Sequence, residues 1–360
     1  MKAAVLKAFG TPLIIKEVPD PLLGTGEVMV SMVAAPVLHY AGEVFSGQRK
    51  YLLELPAVPG TGGVGKVLAV SPDATRLRVG DWVLCDPTVR SRDDAQTPDI
   101  TLQGLSAGGE GGMALQKYYH HGSFAQKVML PTENAILIGQ INEDEAAKWC
   151  IANALLVPYG GLLAGNLQAG ETIVISGATG YYGGSAVAVA LAMGAGCVIA
   201  PGRNKAALAE LSQRYGNRVR TVELTGEEST DKANITKAAP GAIDCVFDML
   251  PPSADAKAVR AAAMTVREYG SIVLMGGVGM MGGGGLNIPY SWFMRNSVTL
   301  KGQWMYPRTA PQKMVSLIKS GLLSLDNYHI SQFGLEAINE AVEHAGKEKG
   351  AYQLTVIKPS

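Results

Sequence analysis

The stretch ETIVISGATGYYGGSAVAVA, Glu171 to Ala190, constrains the fold more than any other in the chain. An apolar, β-branched run ends at Ser176. Gly177, Gly180 and Gly183 follow at three-residue spacing and lead into a segment of small residues. This order predicts a strand, a tight turn and a helix. The first amides of such a helix lack partners within it, and they favour an anion such as a pyrophosphate. The spacing is not strictly G-x-G-x-x-G, because Thr179 takes the place of a nearer glycine. A lone glycine turn is equally an ordinary strand-to-helix connection. Here it opens a series of such units, which makes a dinucleotide site the stronger reading. Thr179, Gly180, Tyr181, Tyr182 and Gly183 are its candidate contacts. The tyrosine rings could cover the pyrophosphate or line a substrate entrance.

Strands and helices alternate from about residue 140 onward. CVIAPG, RVRTVEL, IDCVFDML and GSIVLMGG read as strands, separated by helical stretches such as KAALAELSQRYG. Alternation of this kind predicts a parallel sheet with helices on both faces. Pro158 predicts a break in the helical stretch Glu143–Leu163. The first 135 residues differ. Short apolar runs punctuated by Gly and Pro predict a barrel-like β domain. Within it, Thr88–Gly122 is polar and without clear period, which predicts a long loop. The terminal strand YQLTVIKP could rejoin the first domain. The domains expected are therefore 1–150, 151–304 and a returning segment 305–360.

The second strand of the series indicates which dinucleotide binds. NAD sites place an acid near its end, about 20 residues beyond the turn. Here that end reads Pro201-Gly202-Arg203-Asn204-Lys205, with no acid. The Arg203 guanidinium could instead fork onto a 2′-phosphate, so Gly202, Arg203 and Asn204 point to NADP(H). Two later strand ends, at Asp248-Met249-Leu250 and at Met275 to Val278, should complete the pocket. Asp248, Gly276, Gly277 and Val278 are the candidates there, although the glycines could be plain loop glycines.

Charge excludes some partners. Lys plus Arg and Asp plus Glu both total 31, so net charge gives no footprint for nucleic acid or an anionic membrane. The four cysteines, Cys85, Cys150, Cys197 and Cys245, form no C-x-x-C pair. Reduced thiols in a cytoplasmic protein are expected. The most apolar window, about Gly184 to Pro201, reads as a buried helix running into a strand, not a membrane span.

Taken together, these blocks resemble the medium-chain dehydrogenase/reductase superfamily over nearly the whole chain. MKAAVLKAFGTPLIIKEVPDPLLGTGEVMVSMVAAPV is similar to its opening strands, and PAVPGTGGVGKVLAVSPDATRLRVGDWV to its P-G-H-E-x-x-G-x-V…G-D-x-V block. GSFAQKVMLPTENAILI, VPYGGLL, GATGYYGGSAV and VTLKGQWMYPR follow in the family's order. The resemblance implies a Rossmann doubly wound parallel sheet inserted into a GroES-like β-barrel catalytic domain. It implies a site in the cleft between the domains, a small-molecule substrate and a homodimer joined sheet to sheet. Zinc members of the family hold a catalytic metal with Cys, His-Glu and Cys. The matching positions here are Leu38, Thr61, Gly62 and Asn153. Leucine and glycine cannot bind zinc, and threonine and asparagine bind it poorly. The four cysteines of the family's structural zinc lobe have no counterpart in 88–122. His120-His121 reads as loop histidine, not a ligand pair. The pattern resembles the zinc-independent, quinone-reductase branch, with no metal.

Without a metal, hydride transfer to a quinone or an α,β-unsaturated carbonyl makes the smallest demand on the protein: alignment, a donor near the developing oxyanion and exclusion of water. Tyr40 lies two residues past Leu38, where the zinc members carry their proton-relay hydroxyl. It is the candidate donor, the alternative being a packed barrel-edge tyrosine. His39 could bind the cofactor or simply be solvated, and the solvated reading is the preferred one. Tyr159 and Trp304 could border a flat apolar substrate or serve as core. Two other readings stay open: an NADP-dependent alcohol dehydrogenase or ketone reductase with a tyrosine acid, and a non-catalytic NADPH-binding sensor or structural protein.

Overall fold

The computed structural model describes residues 1–280, 282 and 285–359. The chain divides into two compact units. The first comprises Met1–Asn153, Leu325–Lys349 and the chain from Gln353 on; the second comprises Ala154–Ser324 and Gly350–Tyr352.

The first unit begins with β1 (Lys2–Val5), β2 (Ile14–Glu17), β3 (Glu27–Val37), the short α1 (Ala41–Phe45), β4 (Gly63–Val70) and β5 (Trp82–Cys85). Next come β6 (Thr88–Arg90), β7 (Ile100–Leu102), β8 (Ser106–Gly108), α2 (Gly109–Tyr118), β9 (Lys127–Pro131), β10 (Ala135–Leu137) and α3 (Ala146–Trp149). Strand β3 organises the unit. Its residues are buried except Ser31, which is half-buried, and it pairs antiparallel with both β4 and β9. The stretch 88–122 is an ordered lobe and not a loop. Strands β6, β7 and β8 form an antiparallel meander, and α2 packs against it. Three-residue strands are too short to show the period of two on which a sequence reading relies.

Helix α4 (Ile151–Ala164) crosses the boundary between the units and runs through Pro158 without ending. Proline removes one hydrogen bond from the ladder, but packing holds the helix around it. A Cβ on Gly160 would come within 2.4 Å of the Met305 carbonyl oxygen, and one on Gly161 within 2.4 Å of the Phe247 ring. The stretch Glu143–Ala164 is long and apolar enough to cross a membrane, yet 78% of its most apolar window is buried inside the protein.

The second unit continues with β11 (Thr172–Ser176), α5 (Tyr181–Ala192), β12 (Cys197–Gly202), α6 (Lys205–Tyr215), β13 (Val219–Glu223) and α7 (Glu228–Ala238). It is completed by β14 (Cys245–Asp248), α8 (Ala256–Ala263), β15 (Ser271–Leu274), α9 (Tyr290–Asn296), β16 (Thr299–Gly302) and α10 (Ala310–Lys319). Among the described residues its sheet is wholly parallel, in the order β13-β12-β11-β14-β15-β16. The order reverses between β11 and β14, and ligands of such sheets bind beyond the carboxyl ends at that point. Strand β11 reads TIVIS and is buried throughout, as a central strand covered on both faces must be. Pro201 fits in β12 because β11 pairs only with Cys197–Ile199, so β13 alone flanks the strand at the proline.

The chain then returns through β17 (His329–Gly334), α11 (Ile338–Lys347) and β18 (Gln353–Lys358). Strand β18 pairs with β3 and β17, so the last strand does rejoin the first unit. The return starts at Leu325, later than the sequence reading places it, because α10 and residues up to Ser324 stay with the second unit.

Candidate functional site

In the second unit, the carboxyl ends of four strands gather the residues singled out from the sequence. Gly177 has φ +82°, and a Cβ there would stand 2.8 Å from the Met249 carbonyl oxygen, so the turn lies against the end of β14. A Cβ on Gly183 would stand 1.9 Å from the Gly177 carbonyl oxygen. Only glycine lets α5 start this close to β11. Gly180 is the N-cap of α5 and supplies no side-chain cap, which leaves the first-turn amides of the helix unused by a capping group. Thr179 neighbours the end of β12, since a Cβ on Gly202 would lie 3.0 Å from its Cγ2. Tyr181 is buried and Tyr182 half-buried, and their rings meet edge to face at 4.9 Å.

At the end of β12 the polar residues have separate tasks. The Asn204 side chain accepts from the Ala207 amide at 3.2 Å, so it caps α6. Lys205 Nζ pairs with Glu223 Oε1 at 2.9 Å. Arg203 is exposed, with no ion-pair or hydrogen-bond partner among the described residues.

Asp248 ends β14. It is 3% exposed, and a Cβ on Gly276 would stand 2.5 Å from its Oδ2. Burial pushes its pKa up to about 7, against a partial offset from the Leu250 amide at 3.4 Å. The Gly277 amide donates to the Leu250 carbonyl at 2.8 Å, which ties the loop after β15 to the loop after β14. Val278, in that loop, is half-buried. Tyr159 is buried in α4, whereas Trp304 is 52% exposed just past β16.

Sequence reasoning missed one element here. Gly350 forms an isolated antiparallel bridge with Gly180. A Cβ on Gly184 would touch the Ala351 Cβ at 2.4 Å, and the Tyr352 hydroxyl donates to the Gly184 carbonyl at 3.1 Å. The Arg214 guanidinium stacks on the Tyr352 ring at 4.2 Å. Residues 350–352 thus form a strap across the first turn of α5. Nothing in their composition signals it; the adjoining YQLTVIKP reads only as a strand.

The first unit holds the remaining candidates. Tyr40 is the N-cap of α1. The Arg49 guanidinium lies 4.2 Å from its ring centroid, Tyr51 meets it edge to face, and Arg49 Nε donates to Glu43 at 2.8 Å. His39 is half-buried, contrary to the solvated position expected. Burial, helped by Arg49 and Lys349, pushes its pKa down to about 4, so the ring is neutral at physiological pH. Asn153 Nδ2 donates to the Cys85 carbonyl at 3.1 Å. A Cβ on Gly62 would stand 2.4 Å from that same Nδ2. The Asn153 amide therefore occupies the space that a side chain at position 62 would need. Of the adjacent histidines, His120 is exposed and His121 half-buried. Among the described residues no group of three or more His, Cys, Asp or Glu is arranged to hold a metal.

Family models match in two blocks: an alcohol dehydrogenase GroES-like domain over residues 24–140 and a zinc-binding dehydrogenase domain over 183–320. An alcohol dehydrogenase of Rhizobium meliloti (strain 1021) is 31% identical over 262 residues, covering 69% of this chain and 74% of its own length. The chain is a medium-chain dehydrogenase/reductase. A second member of the superfamily, an alcohol dehydrogenase of Moraxella sp. (strain TAE123), is 28% identical and matches over 97% of both chains. A solved structure from Sinorhizobium meliloti 1021, assigned as a zinc-binding dehydrogenase and bound to NADP, superposes with a TM-score of 0.78 at 18% identity over 99% of both chains. At that identity the likeness concerns fold alone.

The superfamily implies two groups, a nicotinamide dinucleotide and zinc. The dinucleotide fits the residues present: the glycine cradle admits no Cβ at 183, and the amides at the start of α5 carry no capping side chain. Zinc does not fit. The four matching positions hold Leu38, Thr61, Gly62 and Asn153, and the Asn153 amide lies against the Gly62 backbone. That set offers no thiolate, imidazole or carboxylate.

Proposed function

We propose that this dehydrogenase/reductase is NADP(H)-dependent, works without zinc, and transfers hydride from NADPH to a quinone or an α,β-unsaturated carbonyl. The observation that carries the reading is the Gly62–Asn153 contact, an amide packed on glycine at two positions where zinc members keep metal ligands. A protein without a Lewis acid favours an acceptor that is already activated. When bound, the nicotinamide supplies the hydride. The chain's own residues do the rest. The α5 amides bind the pyrophosphate, and Arg203, a cation after β12 without a partner among the described residues, binds the 2′-phosphate. The Tyr40 hydroxyl donates to the substrate oxygen as negative charge develops there. Neutral His39 keeps one N–H but is a weaker acid than a phenol, which leaves the proton-donor role to Tyr40.

The names of the two curated relatives favour a second reading, oxidation of alcohols or reduction of simple ketones with Tyr40 as the acid. A sensor or structural protein that only binds NADPH is the non-catalytic alternative. The reading also includes a homodimer, a reducing cytoplasmic setting and buried cysteine thiols. Among the described residues β16 is the edge strand of its sheet and is exposed throughout, and Leu300 on it and Tyr290 and Met294 on α9 stand exposed, which suits a sheet-to-sheet joint. One experiment separates the chemistries: NADPH oxidation screened against quinones, enones, aldehydes and ketones, with and without a chelator. Turnover of quinones or enones that survives chelation supports the proposal. Turnover of simple ketones alone, or loss of activity with chelator, defeats it.

A further inference from the structure

Three glycines from separate segments of the first unit converge behind the Thr61–Gly62 turn. A Cβ on Gly104 would stand 2.1 Å from the Gly60 carbonyl oxygen, and one on Gly122 would stand 2.2 Å from the same atom. Backbones this close leave no side chain to fill the space beside them. A cavity remains, offering about 10 Å³ to the centre of a water-sized sphere. Gly60, Gly62, Cys85, Gln103, Gly122 and Ser123 line it, and apolar side chains make up the rest of the lining.

Two of these residues bring polar atoms that the fold does not use. Gln103 and Ser123 are each 3% exposed. The Gln103 amide nitrogen donates to the His121 carbonyl at 2.8 Å and the Met129 carbonyl at 2.9 Å. Both its hydrogens are committed, and that fixes the orientation of the amide. Gln103 Oε1 and Ser123 Oγ have no hydrogen-bond partner among the described residues. Buried oxygens are rarely left so.

We infer that this cavity is a binding site for one internal water molecule, held by Gln103 Oε1 and Ser123 Oγ. Size sets the ligand class, because the centre of a water-sized sphere has only about 10 Å³ to move in, room for a small molecule such as water. Polyatomic anions and organic molecules are too large. Charge separates water from a cation. No carboxylate lines the cavity, and burial raises the pKa of the Cys85 thiol, so it stays neutral. Hard cations need several oxygen ligands, carboxylates among them. A water needs only what is here: it donates to the Gln103 oxygen and exchanges a hydrogen bond with the Ser123 hydroxyl.

The site joins three segments. Gln103 sits in the turn between β7 and β8, the Ser123 amide donates to the Gly60 carbonyl at 3.0 Å, and Gly62 bears the Asn153 amide. The bound water therefore backs the turn that carries Thr61 and Gly62, and it fixes that turn against the meander lobe.

A crystal structure of the full chain with ordered solvent tests this. The expected result is a fully occupied water about 2.6–3.2 Å from both Gln103 Oε1 and Ser123 Oγ. A dry cavity, or a Ser123 hydroxyl bonded directly to a protein group, overturns it. In solution, oxygen-17 relaxation dispersion counts long-lived internal waters. Ser123→Val, which puts methyl groups into the space, should remove one such water relative to the wild type. An unchanged count in the folded variant also overturns the inference.

Discussion

Asp248→Asn should make stability independent of one proton that the wild type must manage. The unfolded carboxyl has the ordinary value of 3.8, and in the fold burial raises it to about 7. The folded state therefore holds a proton between about pH 4 and pH 7 that the unfolded state has released. Stability is then fully present below the unfolded value and falls as pH rises toward the folded one. The shift is about three units. At about 1.4 kcal/mol per unit, the carboxylate's ionisation costs on the order of 4 kcal/mol by pH 8. Among the described residues no salt-bridge partner offsets it, and relief comes from the Leu250 amide at 3.4 Å. Asparagine has nearly the same shape and cannot ionise, so the variant lacks this dependence. Denaturant unfolding at pH 5 and pH 8, read as the difference between variant and wild type, is the assay. The variant should gain about 3 kcal/mol on the wild type between those two pH values, since only the two units from pH 5 to about 7 contribute. A difference that stays constant from pH 5 to pH 8 would falsify the assignment of a buried, protonated Asp248.

Three further outcomes follow from the geometry. Gly183→Ala puts a methyl 1.9 Å from the Gly177 carbonyl oxygen, so α5 must move; fluorescence titration should show NADPH binding weakened at least tenfold, about 1.4 kcal/mol, and native affinity would show that the cradle is not the site. Arg203→Ala should raise the Kd for NADPH at least tenfold, about 1.4 kcal/mol, while leaving NADH within about twofold; equal losses for both would remove Arg203 from the 2′-phosphate. Leu300→Lys, on the exposed edge strand β16, should convert a dimer to a monomer in light scattering; an unchanged mass would move the joint elsewhere.

The second unit was the more legible half of the chain, for physical reasons. A central parallel strand must be apolar on both faces, so TIVIS announces itself. A helix that starts against a strand must have glycine where Gly183 stands. Asp248, Gly276 and Gly202 were legible as strand ends because the alternation of elements numbers the strands. The lobe 88–122 was not, since strands of three residues carry no usable period. Pro158 misled because packing from Met305 and Phe247 lies far away in sequence. The contact of Asn153 with Gly62 joins residues about ninety apart; the sequence shows that metal ligands are missing, but not that an amide has taken their space. Asn204 reads as a cofactor contact, and its side-chain oxygen also caps α6, a role that Asn shares with Ser, Thr and Asp and that the sequence alone does not separate from ligand binding.

The strap at Gly350–Tyr352 bears on how portable the nucleotide-binding half is. A gene fragment spanning residues 154–324 would encode the whole parallel sheet and the helices on it, short only of the first three residues of α4. It would still lack the tripeptide that covers Gly184 and gives Arg214 an aromatic ring to stack on. Transplanting this half into another scaffold therefore means grafting three residues from near the end of the chain as well. A trimmed C-terminus, though remote in sequence from the glycine turn, would fray the helix that begins there.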